Sequence, residues 1–136
     1  MARPQANLPG GNIMTFYKCE KCGAIATFLT GSCALKCCDE DMIILDANES
    51  DGAEEKHVPA VTVNGNTVYV QIGEVAHPML EEHYIELIAL ETEQGIQVKY
   101  LKPGEAPDAY FALAEGDRVI AVYEHCNIHG LWKIVL

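Results

Sequence analysis

The cysteines constrain this chain more than any other feature of its sequence. Five of the six lie within 20 residues, from Cys19 to Cys38, and Cys126 lies near the end. Secreted proteins use such clusters for disulfides, whereas the reducing cytosol favours metal ligation. The chain has neither the apolar core of a signal peptide nor an apolar run of about 18 residues, the length that spans a membrane. We therefore predict a cytoplasmic protein whose cysteines bind metal and which does not contact a membrane.

Composition divides the chain into four predicted segments. Residues 1–13 are rich in Pro, Gly and Asn and predict a flexible tail. Residues 14–45 hold five cysteines and have little apolar mass in total. A unit this small rarely folds on a hydrophobic core alone, so we expect a metal to stabilise it. Residues 46–54 are acidic and rich in turn formers, which is typical of a linker, and residues 55–136 form the second domain.

The second domain has the pattern of an all-β, antiparallel sandwich. Short runs rich in β-branched residues alternate with turn residues, and no segment has helical periodicity. Three turn segments, Asn64–Asn66, Glu93–Gly95 and Glu115–Asp117, are each flanked by two such runs and predict three hairpins. With a last strand at the end of the chain, about seven strands are expected. They cover residues 61–63, 68–72, 85–90, 96–101, 110–113, 118–123 and 131–135.

The net charge of −11 restricts the class of partner. It results from 20 acidic residues against 9 basic ones. Nucleic-acid binding is excluded, because a protein that neutralises phosphates needs a basic surface. An anionic small substrate would also be repelled by the overall field. A site for such a substrate therefore needs a local positive charge of its own.

Four cysteines of the first domain have the spacing of a metal site. Two residues separate Cys19 from Cys22, and the adjacent pair Cys37 and Cys38 follows. Four thiolates suit a tetrahedral zinc or iron ion, and spacing alone does not choose between them. The alternative to a redox role is a zinc ribbon whose metal only stabilises the fold. Cys33 is a rival ligand, but we interpret it as a free thiol.

A second metal site is indicated by four histidines and the remaining cysteine. A lone histidine is more often structural, but three of these four adjoin turn formers and Cys126 lies three residues before one of them. Such a set exceeds the four ligands of structural zinc and suits a five-coordinate ion with an open position. Iron is compatible with this donor set, with copper as the alternative, and a thiolate ligand favours reduction of an oxygen species. The histidines are His57, His77, His83 and His129.

His125 is not included in the predicted site. If the strand that ends at Cys126 keeps its alternation, the side chain of His125 points away from the thiol of Cys126. We therefore expect His125 at the surface.

Both halves of the chain resemble known domains. The run Phe16–Gly23, together with the pair Cys37 and Cys38, resembles the desulforedoxin domain, which holds one iron on four thiolates. Asp39 stands where that family usually has glycine. Residues 55–133 resemble the catalytic domain of desulfoferrodoxin and neelaredoxin, the superoxide reductases. The resemblance thus covers nearly all of the chain after Met14, and it implies an immunoglobulin-like β-sandwich for the second domain.

The resemblance also implies an activity and a set of ligands. It implies a one-electron reduction of superoxide to hydrogen peroxide at a non-haem iron centre. It assigns Cys126 as the axial thiolate and four histidines as equatorial ligands, namely His57, His77, His83 and His129. It adds a second iron centre on Cys19, Cys22, Cys37 and Cys38 that relays electrons. The alternative is a non-catalytic iron protein that only transfers electrons.

Two catalytic residues and two partners follow from the same resemblance. Glu55 is implied to occupy the open position in the oxidised enzyme. Lys56 is implied to attract superoxide and to organise water for proton delivery, which would supply the local positive charge. Without the motif, the two residues would be interpreted as a solvated charge pair. The family also implies a rubredoxin-type electron donor and a homodimer paired through the small domains.

Overall fold

The structure is a computed structural model that describes residues 14–50, 57–73 and 75–136. Twelve β-strands and no helix occur in these ranges, so the predicted all-β class is confirmed. It follows that this part of the chain contains no helix that could cross a membrane. The chain forms two compact units, Met1–Asp46 and Ala47–Leu136. The predicted tail, residues 51–54 of the predicted linker, and the two implied catalytic residues Glu55 and Lys56 lie outside the described residues.

The first unit contains five very short strands and almost no core. Three of them form a sheet in the order β2-β1-β5, and β3 pairs with β4. Their bounds are β1 Phe16–Lys18, β2 Ile25–Thr27, β3 Lys36–Cys37, β4 Glu40–Asp41 and β5 Ile43–Leu45. Among its described residues only Phe16 and Cys19 are buried. Burial of one large apolar side chain contributes only about 1.5–3 kcal/mol, so this unit needs another source of stability.

The second unit is a sandwich of two antiparallel sheets, which confirms the predicted architecture. One sheet has the order β10-β7-β6 and the other β12-β11-β8-β9. All seven strands expected from the sequence are present. Their bounds are β6 Pro59–Asn64, β7 Thr67–Ile72, β8 Ile85–Thr92, β9 Ile96–Tyr100, β10 Asp108–Ala112, β11 Val119–Cys126 and β12 Gly130–Val135.

The two sheets of the second unit share one apolar core. Every second residue of β7, namely Val68, Val70 and Ile72, is fully buried, as the pleat of a strand dictates. These side chains belong to one cluster with residues of β8 and β11, including Ile88 and Cys126. The core therefore continues to the end of β11, and the thiol of Cys126 lies inside it.

Two of the three predicted hairpins are confirmed, and the third is wrong. β6 pairs with β7 around Gly65, whose φ of 62° suits a tight hairpin turn, and β8 pairs with β9. In contrast, β10 pairs with β7, while β11 pairs with β8 and β12. The turn at residues 115–117 therefore carries the chain from one sheet to the other. Turn residues mark where the chain reverses, but the choice of neighbouring strand depends on which pairing closes the common core.

The predicted surface position of His125 is wrong. This side chain is only 1% exposed, and its Nδ1 lies 2.6 Å from Oε1 of Glu86. Seven of the eight residues of β11 are buried, so both faces of this strand are covered. His125 points away from the thiol of Cys126, but the face of β11 on which it lies is also buried.

Candidate metal centres

The first candidate centre is formed by the four cysteines that the spacing predicted. The sulfur atoms of Cys19, Cys22, Cys37 and Cys38 all lie within 4.8 Å of one another. The Sγ atom of Cys37 lies 3.6 Å from that of Cys22 and 3.8 Å from that of Cys38. A tetrahedral ion with bonds of about 2.3 Å to sulfur requires S···S separations of about 3.8 Å. All six cysteines are free, and Cys33 lies outside the cluster.

The backbone explains how two adjacent cysteines contribute to one site. In an extended chain, the side chains of Cys37 and Cys38 would point to opposite sides. Here Cys38 and Asp39 have φ angles of 55° and 64°, in the left-handed region. This tight turn brings both sulfurs to the same point. Asp is one of the few residues other than glycine that adopts this region readily, which explains how Asp39 replaces the usual glycine.

The four thiols also perturb one another's ionisation. The backbone N–H of Cys22 donates a hydrogen bond of 3.4 Å to Sγ of Cys19 and lowers the pKa of Cys19 to about 7. The interaction with the thiol of Cys19 instead raises the pKa of Cys37 to about 12. Four thiolates so close together repel one another unless a cation lies between them. The donor set therefore fits a metal ion, whose binding would release the remaining thiol protons.

The second candidate centre is a closed ring of four imidazoles. Ring centroids are 4.5 Å apart for His57 and His77, 4.8 Å for His77 and His83, and 5.0 Å for His83 and His129. His129 closes the ring at 5.0 Å from His57. Neighbouring rings are inclined to each other by between 58° and 85°. The four imidazoles therefore form one closed cluster.

A buried thiol completes this cluster. The ligand atoms of His57, His77, Cys126 and His129 all lie within 4.8 Å of one another. His83 is not in that set, but its ring contacts the rings of His77 and His129. Sγ of Cys126 lies 3.9 Å from Nδ1 of His129. Cys126 has no exposed surface, whereas His129 is the exposed member of the set. The thiol therefore reaches the imidazoles from the apolar core, and the donor set of imidazole and thiolate fits iron.

Two of the imidazoles are oriented by hydrogen bonds at the nitrogen that faces away from the cluster. Nδ1 of His57 lies 3.2 Å from Oε2 of Glu124, and Nδ1 of His77 lies 2.7 Å from the carbonyl oxygen of Pro78. When Nδ1 donates its proton to such an acceptor, Nε2 is left unprotonated and can bind a metal. Glu124 is completely buried, and the sequence analysis did not identify it. The available signal was a carboxylate in an apolar strand, two residues before Cys126.

Asn127 joins two ligand-bearing segments. It lies in the turn between β11 and β12, directly after Cys126 and two residues before His129. Its Oδ1 accepts a hydrogen bond of 2.9 Å from the backbone N–H of Tyr84, and its Nδ2 donates one of 3.1 Å to the carbonyl of Glu82. These two partners are the residues on either side of His83. The amide side chain therefore fixes the His83 loop to the turn.

Replacing Asn127 with alanine should weaken the second centre. The variant loses both side-chain hydrogen bonds, each worth about 0.5–1.5 kcal/mol. Because an outer partner of a ligand typically contributes about 10-fold or more to metal affinity, we expect at least a 10-fold loss at this centre. Competition with a chelator measures that affinity. Asn64→Ala, an exposed substitution of the same kind at the end of β6, is the control. Equal affinity in the two variants would contradict a role for Asn127.

Comparison with known proteins identifies the family of this chain. A family model described as Desulfoferrodoxin matches residues 49–135. The chain belongs to the desulfoferrodoxin family. A protein named Desulfoferrodoxin from Desulfarculus baarsii is 47% identical over 118 residues, which cover 86% of this chain and 92% of the relative. Another of that name, from Nitratidesulfovibrio vulgaris, is 46% identical over 123 residues, which cover 90% and 96%.

A solved structure of a desulfoferrodoxin relative agrees in fold. The superoxide reductase from Treponema pallidum superposes with a TM-score of 0.79 and 35% identity, covering 91% of this chain and 99% of that one. The resemblance predicted from the cysteine and histidine motifs is confirmed by these findings. So is the predicted fold, in which a small desulforedoxin-like metal domain precedes an immunoglobulin-like β-sandwich.

Proposed function

We propose that this protein is a superoxide reductase with two iron centres, and that the histidine–cysteine centre is its active site. The observation that carries the proposal is the ring of four imidazoles with the buried thiol of Cys126 beside it. The reaction consumes one superoxide, one electron and two protons and produces one hydrogen peroxide. Iron held by these ligands would supply the electron and bind the substrate.

The ligands of the active site are proposed to be His57, His77, His83, His129 and Cys126. Burial of the ligands supports stable binding of the iron. Three of the five side chains, those of His57, His77 and Cys126, are at most 4% exposed. The thiolate of Cys126 donates electron density, which favours electron transfer to the substrate. Hydrogen bonds at Nδ1 keep the rings of His57 and His77 in their ligating orientation.

Glu55 and Lys56 are proposed as the catalytic side chains outside the ligand set. They directly precede His57 in the sequence, and consecutive Cα atoms are only 3.8 Å apart, so neither can be far from the centre. Lys56 supplies positive charge for an anionic substrate on a chain whose net charge is −11. It also orders water from which protons are delivered. Glu55 covers the substrate position in the oxidised enzyme.

The four-cysteine centre is proposed to bind the second iron and to relay electrons. Its ligands Cys22 and Cys38 are exposed, so a donor protein can approach the sulfurs directly. A small iron–thiolate protein of the rubredoxin type is the proposed donor. We also propose a cytoplasmic location, where reducing conditions keep such cysteines available for metal.

A homodimer paired through the first unit is proposed as the assembly. That unit has little core of its own, and several of its large apolar side chains are exposed. Leu29 is 85% exposed and Ile44 is 59% exposed. Pairing with a second copy would cover such side chains and add stability that a small unit lacks.

The decisive experiment measures metal content and product stoichiometry together. The full chain should contain two irons, and after reduction by ascorbate it should convert each superoxide to one hydrogen peroxide without releasing O₂. Azide should perturb the spectrum of the histidine–cysteine centre only, because that centre is proposed to leave a position open for a small anion. A protein that only carries electrons, with both centres saturated, would not respond to azide. Zinc in place of iron, or O₂ release in a dismutation, would contradict the proposal.

Lys56→Ala should slow the association of superoxide by about 10-fold, because the ammonium group provides local attraction in an otherwise repulsive field. The remaining rate should depend less on ionic strength, since a screened charge–charge term has been removed. Stopped-flow mixing of the reduced enzyme with superoxide at several salt concentrations measures both effects. Lys99→Ala makes the same change of net charge on β9 and should leave the rate unchanged. Identical kinetics in the two variants would mean that Lys56 is an ordinary solvated charge.

A further inference from the structure

Trp132 contacts two proposed ligands of the active site at once. The indole ring is stacked on the imidazole of His57, with centroids 4.7 Å apart and planes inclined by 14°. Its Nε1 donates a hydrogen bond of 3.0 Å to the carbonyl oxygen of His129. Trp132 is also the only tryptophan in the chain. One side chain thus touches the ring of one ligand and the backbone of another.

The register of the sheet explains this position. Trp132 on β12 is the cross-strand partner of Glu124 on β11, and directly opposed residues project from the same face of a sheet. Glu124 binds the edge of the His57 ring at Nδ1, while Trp132 covers the face of that ring. The carboxylate alone would leave the imidazole free to tilt about the hydrogen bond. The stacked indole removes that freedom.

The hydrogen bond to His129 acts on the ligand next to His57 in the ring. His129 precedes Gly130, whose φ of 84° makes the sharp turn into β12. That turn brings Nδ1 of His129 to within 3.9 Å of the thiol of Cys126. By holding the carbonyl of His129, the indole N–H fixes the peptide from which the imidazole projects.

We propose that Trp132 is a positioning residue that raises the metal affinity of the histidine–cysteine centre. An imidazole bound to a cation carries more positive charge than a free one, and the face of an indole attracts positive charge. Stacking therefore stabilises the metal-bound form of His57 more than the metal-free form. The hydrogen bond to His129 adds to this effect, because it reduces the number of conformations that metal binding must select.

The backbone of β12 beside Trp132 makes hydrogen bonds that do not involve the indole. The backbone on both sides of Trp132 is held by Asn48, whose N–H donates to the carbonyl of Leu131 at 2.9 Å and whose carbonyl accepts from the N–H of Lys133 at 2.9 Å. These bonds remain when the side chain is changed. Variants at position 132 therefore test the contacts of the indole rather than the presence of the strand.

The proposal rests on the histidine–cysteine centre as a metal site, not on superoxide reduction, so its test uses metal affinity. Full-length chains are loaded with Co²⁺ and then titrated with a chelator. The absorption bands of each centre report its remaining Co²⁺ separately. Trp132→Leu removes both contacts and should lower the Co²⁺ affinity of this centre by about 10-fold or more. Its ligand-field bands should also shift. The four-cysteine centre, in the same molecule, should be unchanged.

Trp132→Phe separates the two contacts, because a phenyl ring can stack on His57 but cannot donate to His129. We expect an intermediate loss of about 2- to 10-fold, which corresponds to one hydrogen bond. Tyr100→Leu is the control, since this aromatic residue of β9 is 78% exposed. Wild-type affinity and bands in Trp132→Leu, or equal losses at both metal centres, would overturn the proposal. If the Trp132 variants lose Co²⁺ affinity as expected but the wild-type protein does not reduce superoxide, only the proposed function would be contradicted.

Discussion

Cys126→Ser should abolish superoxide reduction while leaving the four-cysteine centre metallated. A serine hydroxyl stays protonated near neutral pH and is a poor ligand for the iron that a thiolate holds. The electron density that favours reduction of the substrate is lost with the sulfur. Mutation of a residue that hydrogen-bonds to a metal ligand typically lowers metal affinity or activity by about 10- to 100-fold. Removal of the ligand itself should therefore reduce the rate by about 100-fold or more.

The loss of activity should not result from loss of the fold. Cys126 is fully buried in the common core, and serine has nearly the same shape. The substitution places a small hydroxyl in the apolar core. A buried polar group that is only partly satisfied costs about 1–3 kcal/mol, which is less than the stability of most domains. The sandwich should therefore remain folded, which circular dichroism and thermal unfolding would show.

The measurement is a single turnover of chemically reduced enzyme with superoxide. In that format electron entry from a donor is bypassed, and only the histidine–cysteine centre is tested. Cys33→Ser is the matched control, because it makes the same chemical change at an exposed cysteine outside both clusters. A Cys126→Ser chain that still produced one hydrogen peroxide per superoxide at the wild-type rate would show that Cys126 is not the thiolate of the active site.

The side chains that the sequence predicted as metal ligands are brought together by the structure in two clusters. Cysteines spaced by two residues, and histidines beside turn formers, are local patterns that do not depend on which strands are neighbours. The structure brings His57, His77, His83 and His129 together although they are separated by up to 72 residues of chain. Their contexts, rather than their positions in the sheets, indicated that they act together.

The residues that support the ligands could not be selected in the same way. Glu124 and Trp132 meet at His57 only because β11 and β12 pair in one particular register. Asn127 reaches the His83 loop because β11 and β8 are neighbours in the same sheet. A hydrogen-bonded neighbour is a non-local property. The wrong third hairpin has the same cause, since the turn after β10 did not reveal that β10 pairs with β7.

The misplacement of His125 has a related physical origin. Alternation correctly separates neighbouring residues of a strand onto two faces, but it does not say whether the second face is exposed. β11 is buried along both faces, so His125 forms a pair with Glu86 instead of facing water. A two-layer sandwich whose central strand is covered on both sides is not apparent from the period of a single strand.

Cys22→Ser should remove the metal from the first unit and with it the fold of that unit. Hydrophobic burial cannot compensate, because Phe16 and Cys19 are the only buried residues among those described in the unit. A structural metal on thiolates contributes about 10–16 kcal/mol to folding, several times the contribution of a single buried phenylalanine. Cys22 is exposed, so the substitution removes a ligand without opening a cavity.

Amide hydrogen exchange, measured for each residue, shows whether the first unit remains folded. In Cys22→Ser, the amide protons that pair β1 with β2 and β5 should exchange freely, while those of β8 and β11 keep their protection. The matched control is again Cys33→Ser, which changes an exposed thiol in the same unit and should keep protection in both units. Single-turnover reduction of superoxide should also survive in Cys22→Ser, the reverse of the result for Cys126→Ser. Retained protection in β1 after loss of the metal would mean that packing alone folds this unit.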